Sequence, residues 1–220
     1  MTLLGPKRSF EPALAEDFHA RVYAISPASQ RFLAMLGVWD LLDAKRLTPV
    51  EAMEIHGDAD GLLHLNAWQT AQTELAWIVE SLEIERVLTQ AVQMFGVSWV
   101  AEKFSYYAPG QITTEQGRIL RADLFVAADG PQSPLRAAAG VPVTERPYGA
   151  TGLVAHFTAQ YPHQGTALQW FTSEGVLALL PMPTTADGPQ VSMVWSAKDA
   201  LANEVLAMSA SEQSLYLNAR

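Results

Sequence analysis

The stretch that most constrains the fold is Ala122 to Gly140, ADLFVAADGPQSPLRAAAG, where an apolar run stops at an Asp-Gly pair and a short helical pattern follows. Leu124, Phe125, Val126, Ala127 and Ala128 carry no polar interruption, the pattern of a strand covered on both faces in a parallel sheet. Ser133 suits an N-cap, Pro134 a first helical residue and Gly140 a left-handed terminator, so a helix over Pro134 to Ala139 is expected. Backbone N–H groups at a helix start lie at the positive end of the helix dipole, where a phosphate could sit, with Asp129 facing the ligand's hydroxyls. An ordinary strand-to-helix turn, with Asp-Gly chosen for its geometry alone, accounts for the same residues.

Around this stretch the periodicity changes several times. Met1 to Leu4 is an apolar stub broken at Gly5-Pro6, the end of a strand, and residues 6 to 20 form a polar loop. Ser26-Pro27 opens a helix that Gly37 ends, and Trp39 to Leu42 makes a further helical turn. Between Pro49 and Trp68 the period becomes two, with Ala52, Glu54 and His56 on one side and Met53 and Ile55 on the other, turning at Gly57 to Gly61 into a hairpin. His56 and His64 could face each other there, but no third ligand follows at metal spacing, and Asp58-x-Asp60-Gly61 lacks the later bidentate acid of a calcium loop, so no metal is assigned. Ala76 to Met94 has a helical period, with Ser81 as a candidate N-cap. A strand at Val97 to Val100 and a meander over 104–107, 111–114 and 118–121 lead into the opening stretch. Strands at 152–158, 167–171, 176–180 and 191–195 then predict an antiparallel sheet, and 201–220 the start of a helix.

Composition excludes several functions. A formal charge of −9 and a pI near 4.9, without a Lys/Arg cluster, leave nothing to bind a nucleic-acid backbone. The absence of cysteine removes disulfides, thiol catalysis and thiolate metal sites, and no apolar run approaches the roughly 20 residues of a membrane helix, so a cytoplasmic location is expected. No paired carboxylate or Ser/His/Asp set identifies a catalytic acid, base or nucleophile.

Residue by residue, Ala128-Asp129-Gly130-Pro131-Gln132-Ser133-Pro134-Leu135-Arg136 resembles the second signature motif of the FAD-dependent aromatic hydroxylases, class A flavoprotein monooxygenases with the para-hydroxybenzoate hydroxylase fold. Arg21 to Ser26, with Ser29 and Leu36 to Trp39, resembles the family segment after its second strand. Gln169 to Phe171, Gly175 to Pro181 and Val194 to Ser196 are similar to its ubiquinone-biosynthesis branch. The resemblance implies an α/β (α+β) fold: an incomplete Rossmann-like FAD-binding domain over 1–48 and 76–142, interleaved with an antiparallel substrate-binding sheet over 49–75 and 143–200. It implies Arg21, Asp129, Gly130, Ser133 and Arg136 as FAD-binding residues and places Gln169, Trp170, Leu177, Leu179 and Pro181 on the sheet that forms the substrate pocket.

The implied activity is hydroxylation of an aromatic ring, on a polyprenylated phenol or quinol precursor of ubiquinone, with FAD, NAD(P)H and oxygen. The implied substrate is lipid-soluble, and peripheral association with the inner membrane or a ubiquinone-biosynthesis complex is compatible with it. The family's Gly-x-Gly-x-x-Gly turn and its Gly-Asp motif lie outside the matched segment. On that basis Met1 is expected to be an internal residue of a longer hydroxylase, and the chain taken alone to bind FAD weakly or not at all, to be inactive, and to expose apolar surface at Trp39, Trp77 and Phe125. The alternatives are a non-catalytic remnant, a ligand-binding or interaction module, or a hydroxylase of a soluble aromatic substrate.

Overall fold

The structure, a computed structural model, describes residues 1–7, 9–10 and 17–218. The polar loop expected over 6–20 is irregular where described, and its remainder lies outside the described residues. In chain order the first elements are β1 (Thr2–Leu4), β2 (Val22–Ile25), α1 (Pro27–Met35), β3 (Leu47–Val50), β4 (Ala52–His56), β5 (Leu62–Asn66), β6 (Ala76–Glu80) and α2 (Ser81–Met94). They are followed by β7 (Ser98–Val100), β8 (Phe104–Ala108), β9 (Gln111–Thr114), β10 (Ile119–Arg121) and α3 (Pro134–Ala138). The chain continues with β11 (Ala150–Thr158), β12 (Thr166–Thr172), β13 (Gly175–Thr185), β14 (Gly188–Lys198), α4 (Asp199–Ala207) and α5 (Ala210–Asn218). This is a mixed α/β architecture, and among the described residues no helix is long and apolar enough to cross a membrane.

The chain divides into two compact units. One comprises Met1–Pro12 and Gln90–Arg146. In it β1 pairs in parallel with β7, Trp99 Nε1 donating to the Gly5 carbonyl at 2.9 Å, and β8, β9 and β10 form the expected meander. Buried Glu102 ties the meander together, accepting from Thr114 Oγ1 at 2.5 Å and from Arg118 Nε at 2.8 Å.

The buried strand expected over Leu124 to Ala128 does not form. The segment is irregular, Leu124 and Val126 are 76% and 74% exposed, and only Phe125 is half-buried, edge-on to Tyr107 at 6.2 Å. An apolar run becomes a strand only when a neighbour accepts its backbone hydrogen bonds, and among the described residues no strand pairs with it.

The other unit comprises Ala13–Thr89 and Pro147–Arg220. Its main sheet has six strands in the order β11-β14-β13-β12-β4-β5, antiparallel except for the β12–β4 pair. A second sheet, β2-β6-β3, packs Val50 and Ile78 against Ala167 and Met182 of the main sheet. Leu153, Met193 and Trp195, which alternate with the residues of that face, pack instead against Ala202 and Val205 of α4. The shared core of the two sheets joins residues that the sequence partition assigned to separate domains, 1–48 with 76–142 and 49–75 with 143–200.

Two further elements differ from expectation. The first residues of the helix predicted over Ala76–Met94 are strand β6, because Ile78 and Val79 are both fully buried on opposite sides between β2 and β3, which a one-striped helix cannot achieve. The C-terminal helix is split at Met208, whose extended backbone precedes a capping box: Glu212 accepts from the Ser209 N–H at 2.7 Å while Ser209 Oγ accepts from the Glu212 N–H at 3.4 Å. Trp39 and Trp77, expected on exposed apolar surface, are half-buried against each other, edge to face at 5.8 Å.

Candidate functional site

Asp129, Gly130, Ser133 and Arg136 are brought together in one turn at the start of α3. Ser133 is the N-cap the sequence predicted, buried, its Oγ accepting from the Arg136 N–H at 3.0 Å. Asp129 Oδ2 accepts from the Leu135 N–H at 3.1 Å, so the carboxylate itself fills the positive end of this five-residue helix. Partial desolvation pushes the Asp129 carboxyl up, but hydrogen bonds from Ser133, the Leu135 N–H and its own N–H, with the nearby Arg136 charge, outweigh it and hold the group below its ordinary value. Gly130 turns the chain at φ 95°, where nothing lies within 4 Å of an added Cβ. Arg136 Nη2 donates to the Pro131 carbonyl at 2.7 Å.

Arg21 belongs to the other unit. It is exposed, its guanidinium lies 5.2 Å from the centre of the Tyr23 ring, and its carbonyl accepts from the Ser81 N–H at 2.9 Å. Beside it, buried Glu80 accepts from Arg46 Nε at 2.6 Å and Nη2 at 2.9 Å and from the His19 N–H at 2.5 Å. Hydrogen bonding to Glu80 raises the Arg46 guanidinium further above its already high value, although burial opposes it.

The main sheet carries a second constellation that sequence reasoning reached only in part. The strand register sets Leu62, His56, Trp170, Leu177, Trp195 and Leu153 side by side in one cross-strand row, with His64, Glu54, Leu168 and Leu179 in the next row of the same face. α4 and α5 cover the Leu153 end, where Tyr216 stacks on Trp195; at the β4–β5 end Leu62 is exposed and His56 and Glu54 are each one-third exposed. Glu54 Oε1 lies 2.7 Å from His56 Nε2 and Oε2 lies 3.6 Å from His64 Nδ1. The His56 ring is parallel to Trp170 within 10°, centroids 5.5 Å apart. The alternation of β4 placed Glu54 and His56 together in the sequence. Trp170 was assigned to the sheet by resemblance, but its place beside His56 was not legible there, because it arises from a parallel pairing with a strand more than 100 residues away. No group of three His, Cys, Asp or Glu side chains with metal-holding geometry occurs among the described residues.

The chain is 30% identical over 216 residues to the ubiquinone hydroxylase UbiL of Rhodospirillum rubrum, a match covering 96% of this chain and 49% of that protein. It is 29% identical over 211 residues to the ubiquinone biosynthesis monooxygenase COQ6 of Danio rerio, covering 89% of this chain and 43% of that one. The fold matches PqsL of Pseudomonas aeruginosa with a TM-score of 0.73 at 19% identity, over 96% of this chain and 57% of that structure. No protein-family model matches. The chain spans about half the length of the curated relatives it matches.

Proposed function

From its homology to ubiquinone hydroxylases and its FAD-dependent aromatic monooxygenase fold, we propose that the protein hydroxylates an aromatic ring, that of a polyprenylated phenol or quinol precursor of ubiquinone, using FAD, NAD(P)H and oxygen. The observation that carries this reading is the similarity to UbiL, which runs along nearly the whole chain rather than through one motif.

The residues of the Asp129 turn fit one part of FAD and not another. Asp129 is exposed and ionised and Gly130 leaves its backbone open, which suits a hydroxyl-bearing chain donating to the carboxylate. A pyrophosphate does not fit on the first turn of α3, where the Leu135 and Arg136 N–H groups are taken and a carboxylate is already present. Asp129 and Gly130 are therefore assigned to the hydroxyls of FAD, Ser133 to holding the turn and Arg136 to the adjacent negative charge. Arg21 is assigned to the cofactor on the sequence resemblance alone. When bound, FAD supplies the transfer of electrons from NAD(P)H to oxygen. The chain's own part is to place the ring and exclude water.

The occupied start of α3 favours a second reading, a pocketed binding module without redox chemistry. Incubation with FAD, NADPH, 18O2 and a 2-polyprenylphenol separates the two: incorporation of one 18O atom into the ring is expected of the hydroxylase. Substrate binding with no labelled product under saturating FAD would leave the binding module.

A further inference from the structure

Three buried side-chain atoms have no hydrogen-bond partner among the described residues: Thr48 Oγ1, His156 Nδ1 and Ser192 Oγ. All three belong to the layer between the main sheet and the β2-β6-β3 sheet. Leu180 packs into the core that Val50 and Ile78 form with Ala167 and Met182, and the strand register sets Leu180, Ser192 and His156 side by side on that face. Thr48 shares with Val50 the face of β3 turned to the same layer. We propose that Ser192 and His156 hold one buried water between them, and that this bridge keeps the His156 ring oriented to anchor the His19–Arg21 segment.

Ser192 is fully buried, and its cross-strand neighbours on that face are Leu180 on one side and His156 on the other, so the imidazole is the polar group beside its hydroxyl. The Ala159 N–H donates to the Pro189 carbonyl at 2.8 Å, which puts the main-chain hydrogen bonds of the β11–β14 ladder at the odd-numbered residues. His156 and Ser192 are therefore a pair without main-chain bonds to each other, the kind whose side chains stand closer. With Cβ atoms about 4.5–5.5 Å apart, one water spans from Oγ to Nδ1. A buried hydroxyl without a partner is costly, and an ordered water is the usual remedy. Water both donates and accepts, so the bridge forms whether Nδ1 carries a proton or a lone pair. The other ring nitrogen, Nε2, donates to the His19 carbonyl at 3.0 Å. His19 Nδ1 in turn accepts from the Arg21 N–H at 3.2 Å and lies 3.1 Å from Ser81 Oγ. The His156 ring is thus a hold of the main sheet on the backbone that carries Arg21.

The test uses the full chain. Oxygen-17 relaxation dispersion, which registers waters held inside the protein, is expected to show about one more long-lived water in the wild type than in Ser192→Val, whose methyl groups take the water's place. Equal counts overturn the bridge, a direct Ser192–His156 hydrogen bond being one way to obtain them. Ser192→Ala carries the test if Ser192→Val does not fold. Loss of a bonded hydroxyl should lower its folding equilibrium constant about fivefold in urea unfolding, whereas a variant as stable as the wild type shows a hydroxyl without a partner and overturns the bridge. His156→Phe should speed amide exchange at Arg21 about fivefold, the worth of one hydrogen bond, and leave the amides of β9 unchanged. His156→Gln, whose amide still donates to the His19 carbonyl, should restore part of the protection. Arg21 exchange that is unchanged in His156→Phe overturns the anchor. Ser192→Ala should raise the same exchange part of the way, and no change there overturns the link between bridge and anchor.

Discussion

Asp129 shows how the charge of one side chain can hold a turn. Its carboxylate caps α3 by accepting the Leu135 N–H, and only the ionised form carries the charge that the helix dipole favours. Because its folded pKa lies below the ordinary Asp value of 3.8, its contribution is fully present above that value and is lost as pH falls through the folded one. Amide exchange at Leu135 should therefore lose protection as the pH is lowered below about the ordinary Asp range, and Asp129→Asn should abolish that dependence; protection that stays flat with pH in the wild type would show that the carboxylate does not hold the turn. The Arg46–Glu80 pair is a different case, because both partners are withdrawn from water, at 11% and 2% side-chain exposure. Arg46→Ala strands a buried carboxylate and should cost about 3 kcal/mol in urea unfolding, whereas Arg46→Met with Glu80→Leu, which leaves no buried charge, should cost less. Equal losses in the single and double variants would contradict that account.

The elements that were legible in the sequence are those whose partners are close in the chain. The β4–β5 hairpin and the β8–β10 meander follow from period-two alternation and from turn residues, and the Ser26 and Ser133 caps follow from side-chain chemistry within four residues. Elements defined by distant partners were not. Residues 76–80 match a helical period as well as a strand until β2 and β3 are known to flank them, and Leu124–Ala128 has the composition of a buried strand but no neighbour to pair with. For the candidate site, the same limit left Glu54 and His56 legible on one strand and hid the β12–β4 pairing that sets Trp170 beside His56. The β12–β13 hairpin offers a test at this scale. Gly175 closes it at φ 140°, and a Cβ there would overlap the Ser196 carbonyl oxygen of β14, so neither side-chain motion nor a rotamer change relieves the clash. Gly175→Ala should destabilise the protein by more than about 1 kcal/mol and disturb the β13–β14 register, visible in the amide shifts of Ser196 and Ala197. A variant as stable as the wild type would mean that the two strands separate easily at this end.

For the whole molecule, two properties pull in opposite directions. In the unit containing α3, Leu124, Val126, Met94 and Phe95 are between 68% and 76% exposed, which is a large amount of apolar side chain to leave in water. The net charge of −9 opposes the association that such surface favours, since two copies repel at every encounter. Salt weakens the repulsion and leaves the apolar attraction in place, so the balance should tip with ionic strength. Sedimentation of the purified chain is expected to show a predominantly monomeric species in dilute buffer and reversible larger species at about 0.5 M salt, where the Debye length is only a few ångströms. Leu124→Lys with Val126→Lys should suppress the larger species, and should leave the unfolding midpoint nearly unchanged because both side chains are already solvated in the folded state. Association that weakens with salt would instead identify a charge-driven contact. A double variant that associates as strongly as the wild type would place the attraction outside the 124–126 segment.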